Sequence, residues 1–561
     1  MTSNPALVPI LGAFLVPLLP GRVRSAWMLA LPVVALALLW TMPEGVRAGP
    51  SLLGLELEPV RIDSLSRLFG TAFCLAAFLG VIYGLHVRDT VQQVATLSYA
   101  GAAIGGALAG DLVTLFVFWE LTGVASVLLI WAGRTERSRR AGLRYLVAQV
   151  VSGLLMLAGI ALRVTGGAGV RFDLIGAQDA GGVLILLAIG IKCAFPVLHA
   201  WLIDTYPEAT AVGTAVLSGF TTKLAVYALA RGFPGTEALV WIGVVMACFP
   251  IFYAVIENDL RRVLSYSMIN QLGFMVVGVG VGGSLGVNGA VAHAFADIFF
   301  KGLLFMSMGA VLTRVGTVKA SELGGLYRSM PQTTVLCVIG AASISAFPLF
   351  SGFVTKSLIL EAVGDQQRPV VWLLLLFASA GVFHHAGIKI PFFAFFSHDG
   401  GHRVREAPAS MRVAMGMAAA ICVGIGVLPG LFYGLLPFPV DYAPYTTYHV
   451  VNQVQLLVLA AGAFTVLMRT GLYPAELRSV NLDADVVYRK LLPAVWTGGE
   501  RVVTRVRERV GPGLRSGLGA VATRVTGPLR ADGRIGSAWS TSIMIRAAVL
   551  LLGLVLLISF L

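Results

Sequence analysis

Long apolar segments and short polar connections alternate along almost the whole chain. Apolar segments of about 17 to 25 residues, the length that crosses roughly 30 Å of hydrocarbon as a helix, recur between residues 5 and 468. One more runs from Ile543 to Leu561. The residue-by-residue alternation that a membrane β-barrel needs does not occur in the sequence. The length rule therefore predicts about sixteen membrane-spanning helices.

Composition supports the same class. The 561 residues are 57% hydrophobic and 12% charged, with a mean hydropathy of +0.84. Soluble proteins contain about 25% charged residues, so this chain has too little charge to cover a water-facing surface. The first apolar segment, Leu7 to Leu19, resembles the core of a signal peptide. No small-residue cleavage site follows it and a second apolar segment does, so we expect it to be retained as a span.

The net charge of +13 is concentrated in two places. RTERSRRAGLR (134–144) is a basic loop, and residues 483–540 are polar and arginine-rich, with valine and leucine at helical spacing. Basic loops mark the cytoplasmic side of a membrane protein, and basic amphipathic helices bind anionic lipid surfaces. The 483–540 segment is therefore predicted to lie along the membrane or to form a cytoplasmic tail. Nucleic-acid binding is disfavoured because nothing else in the chain supports it.

Charged side chains inside the apolar segments are the main candidates for chemistry. The first is the glutamate of TLFVFWELTG (114–123). A charge at the bilayer centre costs about 2.5–3.5 kcal/mol even on a lenient scale, and such charges usually mark ion or proton paths. Seven such residues cannot all face lipid at this cost. We therefore expect them to face the protein interior. The candidate relay residues are Glu120, Lys192, Lys223, His293, Asp297, Lys301 and Lys356.

Three of these residues share one predicted helix. His293, Asp297 and Lys301 are four residues apart, twice over. Positions i, i+4 and i+8 lie on one face of a helix, about 6 Å apart by the rise per residue. This spacing predicts a row of titratable groups, which suits a proton relay.

A buried lysine can act as a proton switch. A low-dielectric interior disfavours the ammonium form and lowers the pKa of lysine toward neutrality, and a nearby carboxylate opposes that effect. Glu120 with Lys192 is the pair that we expect to work in this way. The alternatives are that such a pair only stabilises the fold, that Lys356 extends to the membrane surface, and that His293 is a hydrogen-bonded packing residue.

Two apolar segments contain the same interrupted pattern. IKCAFPVLHAW (191–201) and ISAFPLFSGF (344–353) both place Ala-Phe-Pro near a buried lysine. Proline removes a backbone hydrogen bond from a helix, and membranes tolerate such breaks only where protein or a water-filled cavity receives the freed groups. Paired breaks in two halves of a transporter indicate the transport path.

Five stretches resemble a known family, in the family's order: FWELTGVASVLLI (118–130), the segment 190–231 beginning GIKCAFPVLHAW, YAVIENDLRRVLSYSMINQLGF (253–274), HAFADIFFKGLLF (293–305) and SAFPLFSGFVTKSLIL (345–360). They resemble the antiporter-like proteins, which include the L-, M- and N-type membrane subunits of respiratory complex I, related hydrogenase subunits, and the large subunits of Mrp-type cation/proton antiporters. IDSLSRLF (62–69) fits the opening motif, and the resemblance covers roughly residues 60–470.

The resemblance implies an all-α polytopic fold. It consists of about fourteen core transmembrane helices, with two inverted five-helix repeats that each contain a broken helix, followed by a basic amphipathic segment and a last transmembrane helix. The expected divisions are N-terminal helices (1–90), a first repeat (91–232), a second repeat (233–396), C-terminal core helices (397–470), the amphipathic segment (471–540) and the final helix (541–561).

The resemblance also implies roles for single residues. Glu120 and Lys192 match the glutamate and lysine of the first repeat, Lys223 the bridging lysine, Lys301 the central lysine of the second repeat, and Lys356 its terminal lysine. The supporting residues carried over with the matching motifs are His199, Asp63 and Glu257. One position departs from the pattern, since many members have a histidine where this chain has Asp297. A carboxylate there is expected to hold a proton more tightly or to bind a cation.

The predicted function is proton translocation within a multisubunit Na⁺/H⁺ antiporter, because residues 384–401, 440–451 and 482–492 look most like the D-type subunit. The alternatives are an L- or M-type subunit of a complex I-like NADH:quinone oxidoreductase or related hydrogenase, and an assembly subunit without a working relay. No cofactor, metal site or nucleic-acid partner is expected, and the chain is not expected to be an enzyme on its own. The expected location is the bacterial inner membrane, and the expected partners are other membrane subunits, H⁺ and anionic lipids. Transport of Na⁺ through this chain is left open.

Overall fold

The computed structural model of the chain describes residues 4–52 and 54–474, residues 476 and 481, and a few positions between 483 and 501. It divides into two units, Met1–Asn481 and Leu482–Leu561. The fold below is that of the first unit. The predicted amphipathic segment (471–540) lies mostly outside the described residues, and the predicted final helix (541–561) lies wholly outside them.

Helices account for most of the described chain. In the first half they are α1 (Leu7–Leu15), α2 (Gly21–Thr41), α3 (Ser64–Gly84), α4 (Thr90–Leu108), α5 (Leu112–Trp131), α6 (Glu136–Thr165), α7 (Ala180–Lys192), α8 (Ala200–Thr205), α9 (Ala211–Leu217) and α10 (Thr221–Gly232). Short 3₁₀ turns cover Val16–Leu18 and Tyr206–Glu208. Four short strands, β1 (Gly45–Arg47), β2 (Ser51–Leu52), β3 (Leu55–Glu56) and β4 (Val60–Ile62), form the antiparallel pairs β1–β4 and β2–β3 between α2 and α3.

The second half continues the pattern with α11 (Glu237–Ile256), α12 (Leu260–Val281), α13 (Gly283–Val315), α14 (Pro331–Ile344), α15 (Ser351–Asp365), α16 (Pro369–Val382), α17 (Ala409–Val427), α18 (Pro429–Tyr433) and α19 (Thr447–Thr470). Further 3₁₀ turns cover Ala320–Glu322 and Leu326–Arg328. After α16 the helix widens into two π-helical segments, Phe383–Lys389 and Phe392–Phe396.

Eleven helical segments in the described part are long and apolar enough to cross a membrane, with α9–α10 (Ala211–Gly232) and α16 with its π-helical continuation (Pro369–Phe396) counted as one each. Three shorter apolar helices, Leu7–Leu18, Ala180–Lys192 and Pro331–Ile344, accompany them. Burial separates the helices into two sets: α12 is buried along its whole apolar window, whereas the window of α19 is only 17% buried. Since an apolar helix that the protein does not cover needs lipid or a partner around it, the predicted all-α polytopic class is confirmed, with α12 and α13 at its centre.

The two predicted breaks have the same backbone geometry. Between α7 and α8, Ala194 and Val197 adopt φ of 60° and 71°, and between α14 and α15, Ala346 and Leu349 adopt 57° and 75°. A left-handed φ costs an L-residue roughly 1–2 kcal/mol, so four such residues at matching places are not accidental. The Ala-Phe-Pro echo in the sequence is therefore a real structural repeat.

A second correspondence accompanies the breaks. Asp111 caps α5 and forms an antiparallel bridge with Arg171, and Asp259 caps α12 and forms one with Lys319. Each bridge joins the start of one helix to the connection that follows the next helix, so α5–α8 and α12–α15 have the same local plan. The exact repeat boundaries and the inverted orientation stay predictions.

Candidate functional site

Lys192 ends α7 at the first break and is fully buried. Its ammonium donates hydrogen bonds to the Trp119 carbonyl and, at 2.9 Å, to the Thr122 hydroxyl, and it lies 4.5 Å from the centre of the Trp119 ring. Trp119 and Thr122 both belong to α5 and lie within one helical turn of Glu120. The helix break brings the lysine against α5, because it ends the helix where the side chain can reach across.

Glu120 and Lys192, the expected proton switch, are not in direct contact in this structure, and their role as a switch stays a prediction. The lysine bonds to a carbonyl and a hydroxyl of α5, while the buried Oε1 of Glu120 has no hydrogen-bond partner among the described residues. The carboxylate instead points at Gly153 on α6, where an added Cβ would overlap Oε1 and Cδ of Glu120. The two charges are still within electrostatic reach of each other.

This close approach gives a testable prediction. In Gly153→Ala the new methyl group must displace the Glu120 carboxylate, which is the movable end of a flexible side chain. We expect proton transport to fall by about tenfold, because small misplacements of reacting groups are costly, while the protein still assembles. The control is Gly462→Ala on α19, whose added Cβ meets no atom within 4 Å. Equal transport rates for the two variants would contradict a role for the Glu120 position.

Lys223 and Asp297 form a fully buried ion pair in the interior. The Lys223 ammonium lies 2.6 Å from Oδ2 of Asp297, and neither side chain has any exposed area. Lys223 also donates to the Ser218 carbonyl at 3.0 Å. The pair joins α10 to α13 and thus connects the predicted first and second repeats.

Asp297 serves more than one lysine. Lys301 and Lys356 both lie within electrostatic reach of its carboxylate. Lys301, four residues further along α13, is fully buried and donates to the Ser267 hydroxyl at 2.7 Å. Asp297 therefore contacts Lys223 directly and acts on Lys301 and Lys356 through its charge.

His293 and Lys356 occupy the second break. The His293 ring bonds through Nδ1 to the Thr355 hydroxyl at 2.9 Å and through Nε2 to the Gln271 amide oxygen at 3.0 Å. The Lys356 ammonium donates to the Ile344 carbonyl at 3.1 Å and lies 4.9 Å from the centre of the Phe274 ring. Lys356 is 1% exposed, so it does not extend to the membrane surface.

The supporting residues lie at helix ends. His199 precedes α8, is buried and has its ring centre 4.8 Å from that of Phe249. Glu257 ends α11 and accepts the backbone N–H groups of Asn258 and Asp259 at 3.0 and 3.1 Å. Asp63 caps α3 and accepts from the Ser66 N–H at 2.8 Å. All three positions lie at the ends of helices, and their supporting roles stay predictions.

Asp63 allows a pH-dependent prediction. Burial would raise its pKa, but the hydrogen bond and charge of Arg231, 2.9 Å away, outweigh burial and bring it to about 2. Because the folded pKa is below the unfolded value of about 3.9, the stabilisation is complete above that value and is lost as the pH falls through 2. Asp63→Asn should lower the free energy of unfolding by about 1–3 kcal/mol at pH 7, with a smaller difference in unfolding measured near pH 3. A difference that does not change with pH would contradict this origin.

Three ionisable residues escaped the sequence reasoning. Lys389, with no exposed side-chain area, forms an ion pair of 2.9 Å with Glu476, and the buried His385 lies one helical turn before it. Lys389 and His385 lie in the stretch 384–401, whose apolar background already signals a buried charge. Glu476 follows the last described helix, and nothing in its sequence surroundings indicates burial.

Fold and site together define a multi-pass α-helical membrane protein with a buried series of lysines and carboxylates across two broken helices. Residues 109–383 match the family described as NADH:quinone oxidoreductase/Mrp antiporter, TM. A relative in Alkalihalophilus pseudofirmus, the D-type subunit of a Na(+)/H(+) antiporter, is 31% identical over 60% of this chain and 75% of its own length. The chain belongs to this family, as the sequence motifs predicted.

Another relative and a solved structure are also similar to this chain. An uncharacterized protein of Mycobacterium tuberculosis is 30% identical over 67% of this chain, which spans 66% of that relative's length. A chain in the solved structure of the Mrp complex from Dietzia sp. DQ12-45-1b has the same fold over 95% of this chain and 63% of its own length, with a TM-score of 0.79 at 24% identity. The Alkalihalophilus relative is named as an antiporter subunit, and the Dietzia chain is part of the Mrp complex.

Proposed function

We propose that this chain is a proton-translocating subunit of a multisubunit monovalent cation/H⁺ antiporter. The relay would run through Glu120, Lys192, Lys223, Asp297 and Lys301, with His293 and Lys356 at the second break. The proposed partners are other membrane subunits, H⁺ and, through the basic segment, anionic lipids. No cofactor takes part in this proposal.

The fully buried pair of Lys223 and Asp297 carries the proposal. Two charges removed from water cost several kcal/mol each, and their attraction offsets this cost only partly. A pair of apolar residues would serve the fold at least as well, so its presence favours a functional role. Its place between the two predicted repeats is where a relay needs a link.

The chemistry is proton transfer between groups that change partners. While Lys223 contacts the Asp297 carboxylate, the two charges are paired. In the proposed step this contact lengthens, and the ammonium gives its proton to a neighbouring acceptor and becomes a neutral amine. Asp297 is then available to Lys301, so movement of one carboxylate passes charge between repeats. Glu120 would act on Lys192 in the same way, because its Oε1 has no hydrogen-bond partner among the described residues and the carboxylate is within electrostatic reach of the lysine.

A second candidate function has support of its own. The L-type subunit of F(420)H(2) dehydrogenase from Methanosarcina mazei is 27% identical over 74% of each chain. A chain in the solved structure of the membrane-bound sulfane sulfur reductase (MBS), an archaeal respiratory membrane complex, matches in fold over 99% of both chains, with a TM-score of 0.71. In this alternative the same relay would serve a redox-driven complex, such as a complex I-like oxidoreductase, in place of a cation antiporter.

One purification and one flux assay separate these functions. The tagged chain is purified from its native membrane and the co-purifying subunits are identified by mass spectrometry. Everted vesicles with the same complex are then energised, and Na⁺, K⁺ or Li⁺ is added while a fluorescent dye reports ΔpH. The antiporter predicts small membrane partners and a cation-induced collapse of ΔpH. Flavin or iron–sulfur partners, with no response to cations, would support the redox alternative and overturn the antiporter.

A further inference from the structure

The most informative further feature is a second buried charge cluster, three of whose four members lie beyond the residues that the family match covers. It consists of Lys389 and His385 in the first π-helical segment, Glu257 at the end of α11, and Glu476 after α19, and is called the Lys389 cluster below. π-helical turns inside α-helices are frequent at functional sites.

Lys389 is surrounded by oxygen atoms. Its ammonium donates to the carbonyls of Ala254, Val255 and Glu257 at 3.2, 2.6 and 2.7 Å. Glu476 Oε1 lies 2.9 Å from the same nitrogen, with only 7% of its side chain exposed. These carbonyls are the end of α11, where the helix dipole favours a cation. The lysine is thus held in place while its carboxylate partner comes from a separate part of the chain.

Both carboxylates of the cluster involve the segment that follows α19, because Glu476 belongs to it and Glu257 contacts it. Oε2 of Glu257 accepts from the Asn481 side chain at 3.3 Å, in addition to the backbone N–H groups on Oε1. Burial raises the pKa of Glu476 above its usual range, although Lys389 opposes the effect. A carboxyl group in this situation changes its protonation state more readily near neutral pH than an exposed one.

His385 is the unusual member. It has no exposed area, and neither ring nitrogen has a well-formed hydrogen bond among the described residues, although the Gly381 backbone, one turn earlier on the same helix, is within reach of the ring. An unsatisfied buried polar group costs about 1–3 kcal/mol, so an apolar residue would stabilise the fold better. Lys301, Lys389 and the neighbouring His384 are all within electrostatic reach of the ring.

The cluster lies at one end of the helices. Arg261, at the start of α12, donates to the Ala209 carbonyl at 2.9 Å. The carbonyl of Glu208, the residue before Ala209, packs against Gly133, next to the basic loop 134–144. The end of α11 immediately precedes α12, so the Lys389 cluster is at the end of the bundle that carries the basic loop. The positive-inside rule assigns this end to the cytoplasm.

We propose that His385 connects Lys301 to the Lys389 cluster and that the cluster is a proton exchange site at the cytoplasmic end of the second repeat. A proton leaves the Lys301 ammonium, which becomes an amine, and one nitrogen of His385 accepts it through a bridging water. The other nitrogen then gives its proton to the Glu476 carboxylate, and the imidazole is neutral again. Charge is conserved at each step. The inference rests on the proposed proton relay and adds a route out of it.

His385→Leu in the assembled complex is the decisive variant. Since the imidazole makes no hydrogen bond to another helix among the described residues, the melting temperature should be about unchanged, while cation-induced ΔpH in everted vesicles should fall at least about tenfold. His384→Leu is the matched control, because His384 packs against Phe464 and Tyr473, with ring centres 5.4 and 5.5 Å away. It should transport at the parental rate. Equal rates for the parent and His385→Leu would overturn the proposal.

Glu476→Gln and Glu476→Asp provide the second test. Glutamine keeps a hydrogen-bond acceptor for Lys389 but removes the proton site, so transport should fall about tenfold or more with assembly intact. Aspartate should restore part of it. If Glu476→Gln and Glu476→Asp both transport at the parental rate, the Lys389–Glu476 pair only holds the chain after α19 in place, and the proposal fails. Lys192→Met distinguishes a failure of this inference from a failure of the proposed function. If Lys192→Met loses transport and His385→Leu retains it, only the proposed exit route through His385 is excluded. If both variants retain transport, the proposed function is excluded.

Discussion

Asp297→Ala is expected to destabilise the protein and to abolish proton transport. The change leaves the fully buried Lys223 ammonium without its carboxylate, which lay 2.6 Å away. Removing one partner of a buried pair costs about 3–5 kcal/mol, because the remaining charge stays desolvated. Thermal unfolding of the detergent-solubilised complex measures the first effect, and cation-induced ΔpH in everted vesicles measures the second.

The double variant Lys223→Met/Asp297→Leu separates stability from function. Apolar residues in place of a buried ion pair are often neutral or stabilising, so the melting temperature should return to about the parental value. Transport should stay lost, because neither residue can hold a proton. A double variant that regains both properties would show that the pair only stabilises the fold. A double variant that regains neither would show that packing around α10 and α13, and not the pair, determines stability.

Lys301→Met is expected to have the second large effect, with the opposite balance. The Lys301 ammonium is fully buried, and within the described residues it donates to one neutral hydroxyl, that of Ser267. Methionine is of similar length and carries no desolvated charge, so the protein should remain as stable as the parent or become more stable. Transport should fall by about a hundredfold or more, because a positioned proton carrier is lost.

Ser267→Ala is the control for Lys301→Met. It removes the 2.7 Å hydrogen bond and leaves the amine. Loss of one such bond costs about 1 kcal/mol, so a moderate decrease in transport is expected. The titration of the lysine itself, and not its hydrogen bond, is required if Lys301→Met is inactive and Ser267→Ala is active. Transport at the parental rate in Lys301→Met would exclude the central lysine from the relay.

The sequence predicts which residues matter better than it predicts their partners. Lys192, Lys301 and Lys356 are recognisable because each charge stands in an apolar segment, and the structure buries all three. The two breaks are recognisable because proline interrupts a helix at the same local pattern. These signals are local, and a sequence carries local signals well.

Partners depend on helix packing, which the sequence does not display. Lys223 pairs with Asp297 on another helix, although the spacing along α13 suggested that Asp297 would act on Lys301. The nearest acceptors for Lys192 prove to be a carbonyl and a hydroxyl, because the α5 turn presents them ahead of the Glu120 carboxylate. Lys389 and Glu476 could not be paired from the sequence at all. The residue roles assigned by resemblance stay predictions.

The most direct test of the account is proton translocation by Lys192→Met in the assembled complex. Everted vesicles are energised, the cation is added, and the dye response is compared with that of the parent and of Lys319→Met, whose side chain is 46% exposed and pairs with Glu322. The account predicts that Lys192→Met assembles fully and produces no cation-induced change in ΔpH, while Lys319→Met responds like the parent. A fully assembled Lys192→Met complex that moves protons at the parental rate would contradict it.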